Sequence, residues 1–186
     1  MQTITACQNA RGTNQEDRVV SSALPVPIAF ELPQNWRPAE PEQVGAPEAA
    51  YIALRPEPVT VTDFVANITV AGERLNGDRS LVEYVDESLR RLRQTAPDAE
   101  LVKRTETDAE QTPSVTQIVS LTTDVQGTPR RVLQVQVFLA VPDPQYPEQR
   151  AVIELVLSAV PEEIDQVVGD FRALVDSVTP HAGQAG

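Results

Sequence analysis

Apolar and polar residues alternate along three successive stretches in the second half of the chain, 114–124, 131–141 and 150–159. Alternation with a period of two is typical of β-strands that bury one face. Turn-forming residues at 126–129 and a proline-rich segment at 142–147 separate the three stretches. The pattern therefore predicts an antiparallel meander, and the remaining elements must extend or cover it.

Four further strands are predicted, at 28–32, 49–55, 63–75 and 101–107. The last of these carries Lys103, Arg104 and Glu106, the kind of charged residues that protect a sheet edge from aggregation. Residues 37–48 contain three prolines, three glutamates and one glycine, which predicts a loop.

Two segments have the period of an amphipathic helix. Ser80 and Glu83 have the spacing of a capping box, and an apolar stripe follows them. A second helix is predicted from Pro161, a favoured first helical residue, and Pro180 is expected to close the domain. One face of the sheet must be covered by helix, so the fold class is α+β.

The pattern divides the chain into a flexible N-terminal arm at 1–24, one domain at 25–180 and a flexible tail at 181–186. Ile4-Thr5-Ala6-Cys7 matches a bacterial lipobox, but only six residues precede Cys7, too few for a signal peptide. The chain as written is therefore expected in the cytoplasm. The alternative is a missing signal peptide before Cys7, which would make the protein a membrane-anchored lipoprotein.

The net charge is −12, from 27 acidic and 15 basic residues, and this disfavours nucleic acid as a partner. An apolar run of about 18 residues, as a transmembrane helix requires, is absent from the sequence. The single cysteine cannot form an internal disulfide.

Candidate chemistry is sparse. The sole histidine, His181, lies in the predicted tail, and the sequence contains no nucleophile elbow, phosphate-binding loop or zinc motif. Glu106, Asp108 and Glu110 lack the glycine turn of a calcium loop and are expected to face solvent, as is Asp143. We therefore predict no enzyme activity, no metal and no cofactor.

The segment Phe30-Glu31-Leu32-Pro33 with Trp36, the strand at 63–70, the helix from Ser80, the meander and the closing helix resemble the actinobacterial LpqN/LpqT group of the PsbP-like superfamily. The resemblance covers residues 26–180. It implies a curved antiparallel sheet of six or seven strands covered by two main helices. It also implies a binding module, because relatives include photosystem subunits, partners of a transport GTPase, effector chaperones and envelope lipoproteins.

The function predicted from these observations is a non-enzymatic interaction module, an adaptor or chaperone, that recognises a protein partner. Aromatic residues are common interface anchors, so Trp36, Tyr51 and Tyr146 are the predicted partner-binding residues. The alternative is a carrier that holds an amphiphilic, lipid-like molecule between sheet and helix. A third hypothesis, a hydrolase or isomerase with paired carboxylates, requires Asp and Glu side chains to converge in a cleft.

Overall fold

The computed structural model describes residues 18–44, 46–56, 63–110 and 112–181. Within these ranges the chain forms ten strands and two helices. In chain order they are β1 Arg18–Ser21, β2 Ile28–Glu31, β3 Arg37–Ala39, β4 Tyr51–Leu54, β5 Asn67–Leu75, α1 Leu81–Thr95, β6 Glu100–Thr107, β7 Ser114–Val125, β8 Thr128–Pro142, β9 Arg150–Ala159, α2 Ile164–Ser177 and β10 Thr179–Pro180.

The main sheet is antiparallel and has seven strands in the order β3-β4-β5-β9-β8-β7-β6. The predicted meander forms its centre as β7, β8 and β9. β6 lies at one edge, as its charged residues predicted, and its pairing with β7 is irregular between Leu101 and Lys103. A smaller sheet has the order β1-β2-β10.

One helix packs on each face of the main sheet, and the presence of two helices with an antiparallel sheet confirms the predicted fold class. The helix α2 packs on the face that we call the α2 face, where the apolar positions of β5, β8 and β9 meet in register. Burial of this face supplies the largest part of the core, because each fully buried aliphatic side chain contributes about 1.5–3 kcal/mol. Its buried residues include Ile68, Val70, Val135, Val137, Ile153, Leu155, Leu157, Val167, Phe171 and Leu174.

The helix α1 packs on the opposite face, the α1 face, against β7 and β8. The predicted capping box is present, because the Glu83 N–H donates to Ser80 Oγ at 3.2 Å and the Ser80 N–H donates to Glu83 Oε2 at 2.8 Å. These bonds satisfy backbone donors that the first helical turn leaves free. Tyr84 and Val85 pack on Phe138 in the apolar part of this face.

The structure corrects the predicted N-terminal boundary. Residues 18–21 form β1, paired with β2, and Leu24 is buried in the core, so the predicted arm at 1–24 extends too far. The rest of that arm, including Cys7, lies outside the described residues, as do residues 182–186 of the predicted tail. The predicted loop at 37–48 contains the short strand β3, which pairs with β4.

Two corrections concern the C-terminal part of the chain. Pro161 lies in a turn, and α2 begins three residues later at Ile164. Pro180 is itself part of β10, which pairs with β2, and the His181 N–H donates to the Pro27 carbonyl at 2.8 Å. In the described part of the chain, neither helix is long and apolar enough to cross a bilayer.

Candidate functional site

The helix α1 leaves part of its sheet face uncovered, and this uncovered part forms an open cleft of about 810 Å³. Polar side chains from three central strands form its floor, α1 forms one wall, and Glu48 lies at the rim. We call this site the polar cleft. Its lining residues are Glu48, Asn67, Thr69, Ala71, Gly72, Glu73, Tyr84, Ser88, Arg91, Leu92, Thr95, Gln134, Gln136, Glu154, Val156 and Ser158.

A hydrogen-bonded chain of side-chain amides supports the floor. Gln117 Nε2 donates to Gln136 Oε1 at 2.6 Å, and Gln136 Nε2 donates to Gln134 Oε1 at 2.8 Å. This series of hydrogen bonds begins at Arg104. Its Nε and Nη2 both donate to Gln117 Oε1, at 3.1 and 2.9 Å, and its Nη1 forms an ion pair with Asp86. Each buried amide is satisfied by a neighbouring side chain, so the polar floor is fixed before any ligand arrives.

Glu154 is the carboxylate of the floor. It lies in β9, in register with Phe138 on one side and Ala71 on the other. Burial is the main reason why the pKa of Glu154 is raised to about 7; the charge of Arg91 opposes this shift and the negative charge of Glu73 adds to it. The fold therefore holds a carboxyl group that exchanges its proton near neutral pH.

Tyr84 separates the cleft from the apolar core under α1. Its ring packs edge-on against Phe138, with centroids 6.2 Å apart. The guanidinium carbons of Arg79 and Arg91 lie 4.9 and 5.7 Å from the ring centroid, within the range of cation–π attraction. Burial, together with the charge of Glu154, raises the pKa of Tyr84 to about 12, so this phenol stays protonated.

A second cavity, of about 580 Å³, lies on the other side of the sheet between α2 and the strands β6, β7 and β8. Its floor is aliphatic and aromatic, and charged and hydroxyl side chains surround its mouth. We call it the apolar groove. Its lining residues are Lys103, Thr105, Thr112, Ser114, Thr116, Ile118, Val135, Val137, Leu139, Val168, Phe171, Arg172, Val175, Asp176 and Val178.

The three aromatic residues predicted to bind a partner lie apart from both cavities. Trp36 is 4% exposed, and its Nε1 donates to Asp170 Oδ2 of α2 at 2.9 Å. Tyr51 is half-buried, edge-on to Phe30 at 5.1 Å, and burial raises its pKa to about 12. Tyr146 is 52% exposed in the β8–β9 loop.

Trp36 and Tyr146 belong to opposite ends of the sheet. Arg37, the residue after Trp36, pairs with Leu54 of β4, which in turn pairs with Asn67 at the start of β5. The loop of Tyr146 leads to Arg150, which pairs with Leu75 at the end of β5. Nine strand residues separate these ends by about 26 Å. The two aromatic side chains therefore belong to separate surfaces.

The prediction that Asp143 faces solvent is wrong, since this residue is only 6% exposed. The backbone N–H groups of Gln145 and Tyr146 donate to its Oδ1 at 2.8 and 3.3 Å, and Arg74 Nη1 donates to its Oδ2 at 3.1 Å. The bond from the Gln145 N–H is the main reason why the pKa of Asp143 is lowered, with Arg74 assisting. Asp143 thus fixes the loop that presents Tyr146.

The remaining acidic candidates from the sequence line neither cavity. Glu106, Asp108 and Glu110 are exposed. Among the described residues, no group of three His, Cys, Asp or Glu side chains is placed to hold a metal ion. The polar cleft instead offers amide, hydroxyl, guanidinium and carboxylate groups on a fixed floor, an arrangement suited to binding.

Polar residues within the apolar central strands of the sequence indicated the polar cleft, whereas the aromatic residues did not. Gln134 and Gln136 alternate with apolar residues in β8, and Glu154 does so in β9. Strands at the centre of a sheet covered on both faces usually present apolar residues to each side. A carboxylate and two amides on neighbouring central strands therefore mark an uncovered part of the sheet.

Comparisons with known proteins identify the fold. No protein-family model matches the chain, and no curated protein matches it by sequence. Among solved structures, LpqN, involved in cell envelope biogenesis of Mycobacterium tuberculosis, is similar with a TM-score of 0.58 and 13% identity, over 89% of this chain and 91% of LpqN.

Two further structures are similar. Cyanobacterial PsbP (CyanoP) from Synechocystis sp. PCC 6803 has a TM-score of 0.58 and 14% identity, over 94% of this chain and 98% of its own. The protein PA94 from Pseudomonas aeruginosa has a TM-score of 0.52 and 18% identity, over 83% of this chain and 92% of PA94. These likenesses confirm the predicted PsbP-like α+β fold.

Proposed function

We propose that this protein is a non-catalytic binding module, related to the LpqN/LpqT group, that recognises a protein partner through the polar cleft. The observation that carries the proposal is the uncovered part of the α1 face, where a floor of hydrogen-bonded amides opens to solvent. The adaptor or chaperone role predicted from the sequence needs such a preformed surface. Because the floor is already ordered, binding would lose little side-chain entropy.

The shape of the polar cleft favours a protein over a small molecule. It is the larger and more open of the two cavities, and its lining is mainly polar. Small-molecule sites are typically enclosed and mostly apolar. A cleft with a polar floor and one helical wall suits a loop or an extended segment of a partner, which can meet donors and acceptors on several strands at once.

Tyr146 is the member of the predicted aromatic set that a partner can reach without rearrangement. Its loop leads to Arg150, which pairs with Leu75, two residues after Glu73 of the cleft. The loop and the Glu73 end of the polar cleft therefore lie at the same end of the sheet. Tyr146 would anchor the rim of the interface, whereas Trp36 and Tyr51 would support the core behind it.

Site-specific photo-cross-linking tests the proposal. A benzoylphenylalanine placed at Ser88, on the helical wall of the cleft, is expected to capture one protein reproducibly from the native host. The same group placed at Val102, which is 59% exposed on the edge strand β6, is the matched control. Thr69→Trp, which fills the cleft floor, should abolish the Ser88 product. Equal products from Ser88 and Val102, or no product from Ser88, would contradict protein recognition at this cleft.

The apolar groove supports the second candidate function, a carrier for an amphiphilic molecule. Its volume of about 580 Å³ lies within the usual range of ligand sites, about 300–1,000 Å³. An acyl chain could lie along Val137 and Phe171, with a polar head group near Lys103 and Arg172 at the mouth.

Native mass spectrometry of protein purified without detergent tests the carrier function. An excess mass that disappears on denaturation, and that is missing from a groove-filling Thr116→Trp variant, would support it. The bare chain mass in both states would contradict it and leave protein recognition as the remaining candidate.

A further inference from the structure

The carboxylate of Glu154 lines the polar cleft without a partner of its own. It forms no hydrogen bond and no ion pair with any of the described residues. Its side chain is mostly withdrawn from solvent between Phe138 and Ala71, yet it borders the cleft volume. Buried carboxylates are usually paired, because an unpaired buried charge is costly. The oxygens of Glu154 therefore face the open cleft, where an incoming group can reach them.

The cation whose charge acts on this carboxylate is Arg91, and its guanidinium stacks on Tyr84. The guanidinium carbon lies 5.7 Å from the centroid of the Tyr84 ring. Its charge reaches Glu154 without direct contact, and Glu73 of β5 opposes it. The cleft is lined by three carboxyl groups, those of Glu48, Glu73 and Glu154, and by one guanidinium, that of Arg91. Its field therefore favours an incoming cation, in line with the net charge of −12.

Thr69 offers a hydroxyl oxygen on β5, two residues along from Ala71, the register partner of Glu154. Ser158 lies four residues from Glu154 along β9, about 13 Å away, and Gln134 Nε2 donates to its Oγ at 3.4 Å. We propose that the polar cleft receives a basic side chain of the protein partner, whose guanidinium or ammonium group binds the carboxylate of Glu154, with the Thr69 hydroxyl as a second acceptor. This inference rests on the proposed function, since it names the chemical group through which the partner is recognised.

Binding of such a group is coupled to a proton. Because burial raises the pKa of Glu154 to about 7, part of the population is protonated at neutral pH. A cation binds only the ionised form with full strength, so complex formation expels the proton. The charged and titratable groups that act on Glu154 are Glu73, Arg91 and Tyr84, and Glu48 lines the same cleft. The high pKa of Tyr84 keeps its phenol from titrating in this range.

The experiment is an NMR titration of the isotope-labelled chain with Nα-acetyl-arginine amide and Nα-acetyl-lysine amide. Saturable shifts are expected at the amides of Ala71, Ser88 and Val156, with a dissociation constant on the order of 1 mM. Nα-acetyl-citrulline amide, the neutral isostere of arginine, should give no saturable shift. Affinity should rise about tenfold from about pH 6 to about pH 8, because Glu154 ionises in this interval.

The decisive variant is Glu154→Gln, with Glu106→Gln on the exposed edge strand β6 as the control for the same change in charge. The first should abolish the shifts and their pH dependence, and the second should leave both unchanged. Equal binding of citrulline, undiminished binding by Glu154→Gln, or no binding of either basic probe would overturn the inference. The Ser88 cross-link tests the proposed function separately, because a captured partner that Glu154→Gln still binds would overturn this inference alone.

Discussion

The indole of Trp36 ties the segment after β2 to α2. Its Nε1 donates to Asp170 Oδ2, and the same carboxylate oxygen lies 3.7 Å from Arg55 Nη1. Trp36→Phe keeps most of the packing and removes the hydrogen bond, so we expect it to lower the free energy of unfolding by about 1–2 kcal/mol. Trp36→Ala should cost about 3–5 kcal/mol.

Urea unfolding followed by far-ultraviolet circular dichroism measures both changes in Trp36, since loss of the only tryptophan removes the fluorescence signal. Equal midpoints for Trp36→Phe and the parent chain would show that the bond to Asp170 adds nothing to stability. A mild effect of Trp36→Ala would place the indole outside the core.

Because of Glu154, the free energy of unfolding should fall as the pH rises, which is opposite to the effect of a carboxyl group with a lowered pKa. Its pKa rises from 4.5 in the unfolded chain to about 7 in the folded chain, so folding favours the protonated form. The folded protein should therefore lose stability as pH rises between these values, with the full cost present above about pH 7. We expect Glu154→Gln to remove this loss and to stabilise the chain at about pH 8 by as much as about 3 kcal/mol.

The difference between Glu154→Gln and the parent chain should shrink steadily as the pH is lowered to about 4, where both carry a neutral side chain. Chemical unfolding at several pH values measures it. A difference that stays constant with pH would mean that Glu154 ionises normally in the folded chain.

At the scale of elements, the β7–β8 hairpin contains a strained residue. Gln126 and Gly127 both have positive φ angles, 52° and 83°, as a two-residue turn of this hand requires. Glycine adopts this conformation freely, whereas an L-residue such as Gln126 is strained there, and asparagine tolerates it best. The Gly127 N–H also donates to Asp124 Oδ1 at 2.8 Å, which fixes the turn.

We expect Gln126→Asn to raise the free energy of unfolding by up to about 1 kcal/mol, because the strain is relieved while the turn is kept. Gly127→Ala should lower it, since alanine is disfavoured at this φ angle. Thermal unfolding by circular dichroism distinguishes the two. If Gln126→Asn were neutral or destabilising, the long side chain of Gln126 would be making contacts that offset its strain.

The elements with strong periodicity were predictable from the sequence, and those that depend on distant partners were not. The meander, the edge strand β6 and the capped helix α1 are encoded by local alternation and spacing. By contrast, β1, β3 and β10 have two to four residues each and exist because β2 or β4 supplies a partner. Local pattern cannot reveal such pairing.

The same distinction applies to the candidate site. Aromatic character indicated Trp36 and Tyr51 as partner-binding residues, whereas in the structure Trp36 is buried and Tyr51 packs on Phe30. The polar cleft arises because α1 covers only part of its sheet face, and this depends on how a helix packs rather than on its sequence period. Gln134, Gln136 and Glu154 were visible as polar positions in apolar strands, but their shared surface required the register of β8 and β9.

At the scale of the whole molecule, the N-terminal segment joins the small sheet to the main one through Leu24 and Gly72. A Cβ atom added at Gly72 would lie 2.9 Å from Leu24 Cδ2, 3.1 Å from the Val152 carbonyl oxygen and 3.2 Å from Ile153 Cδ1. Gly72 therefore creates the space into which Leu24 packs. We expect Gly72→Ala to lower the free energy of unfolding by about 1–3 kcal/mol, because the core there is already filled.

A double-mutant cycle separates the two contributions to the cost of Gly72→Ala. Leu24→Ala alone should cost about 2–5 kcal/mol through the cavity it leaves, but it removes the closest clash with a new Cβ atom. The cost of Gly72→Ala should therefore fall in the Leu24→Ala background, with a coupling of at least about 0.5 kcal/mol. Additive costs would mean that the backbone carbonyl of Val152, rather than Leu24, limits the space. A large coupling would establish that the segment from Arg18 to Leu24 is an integral part of the domain core.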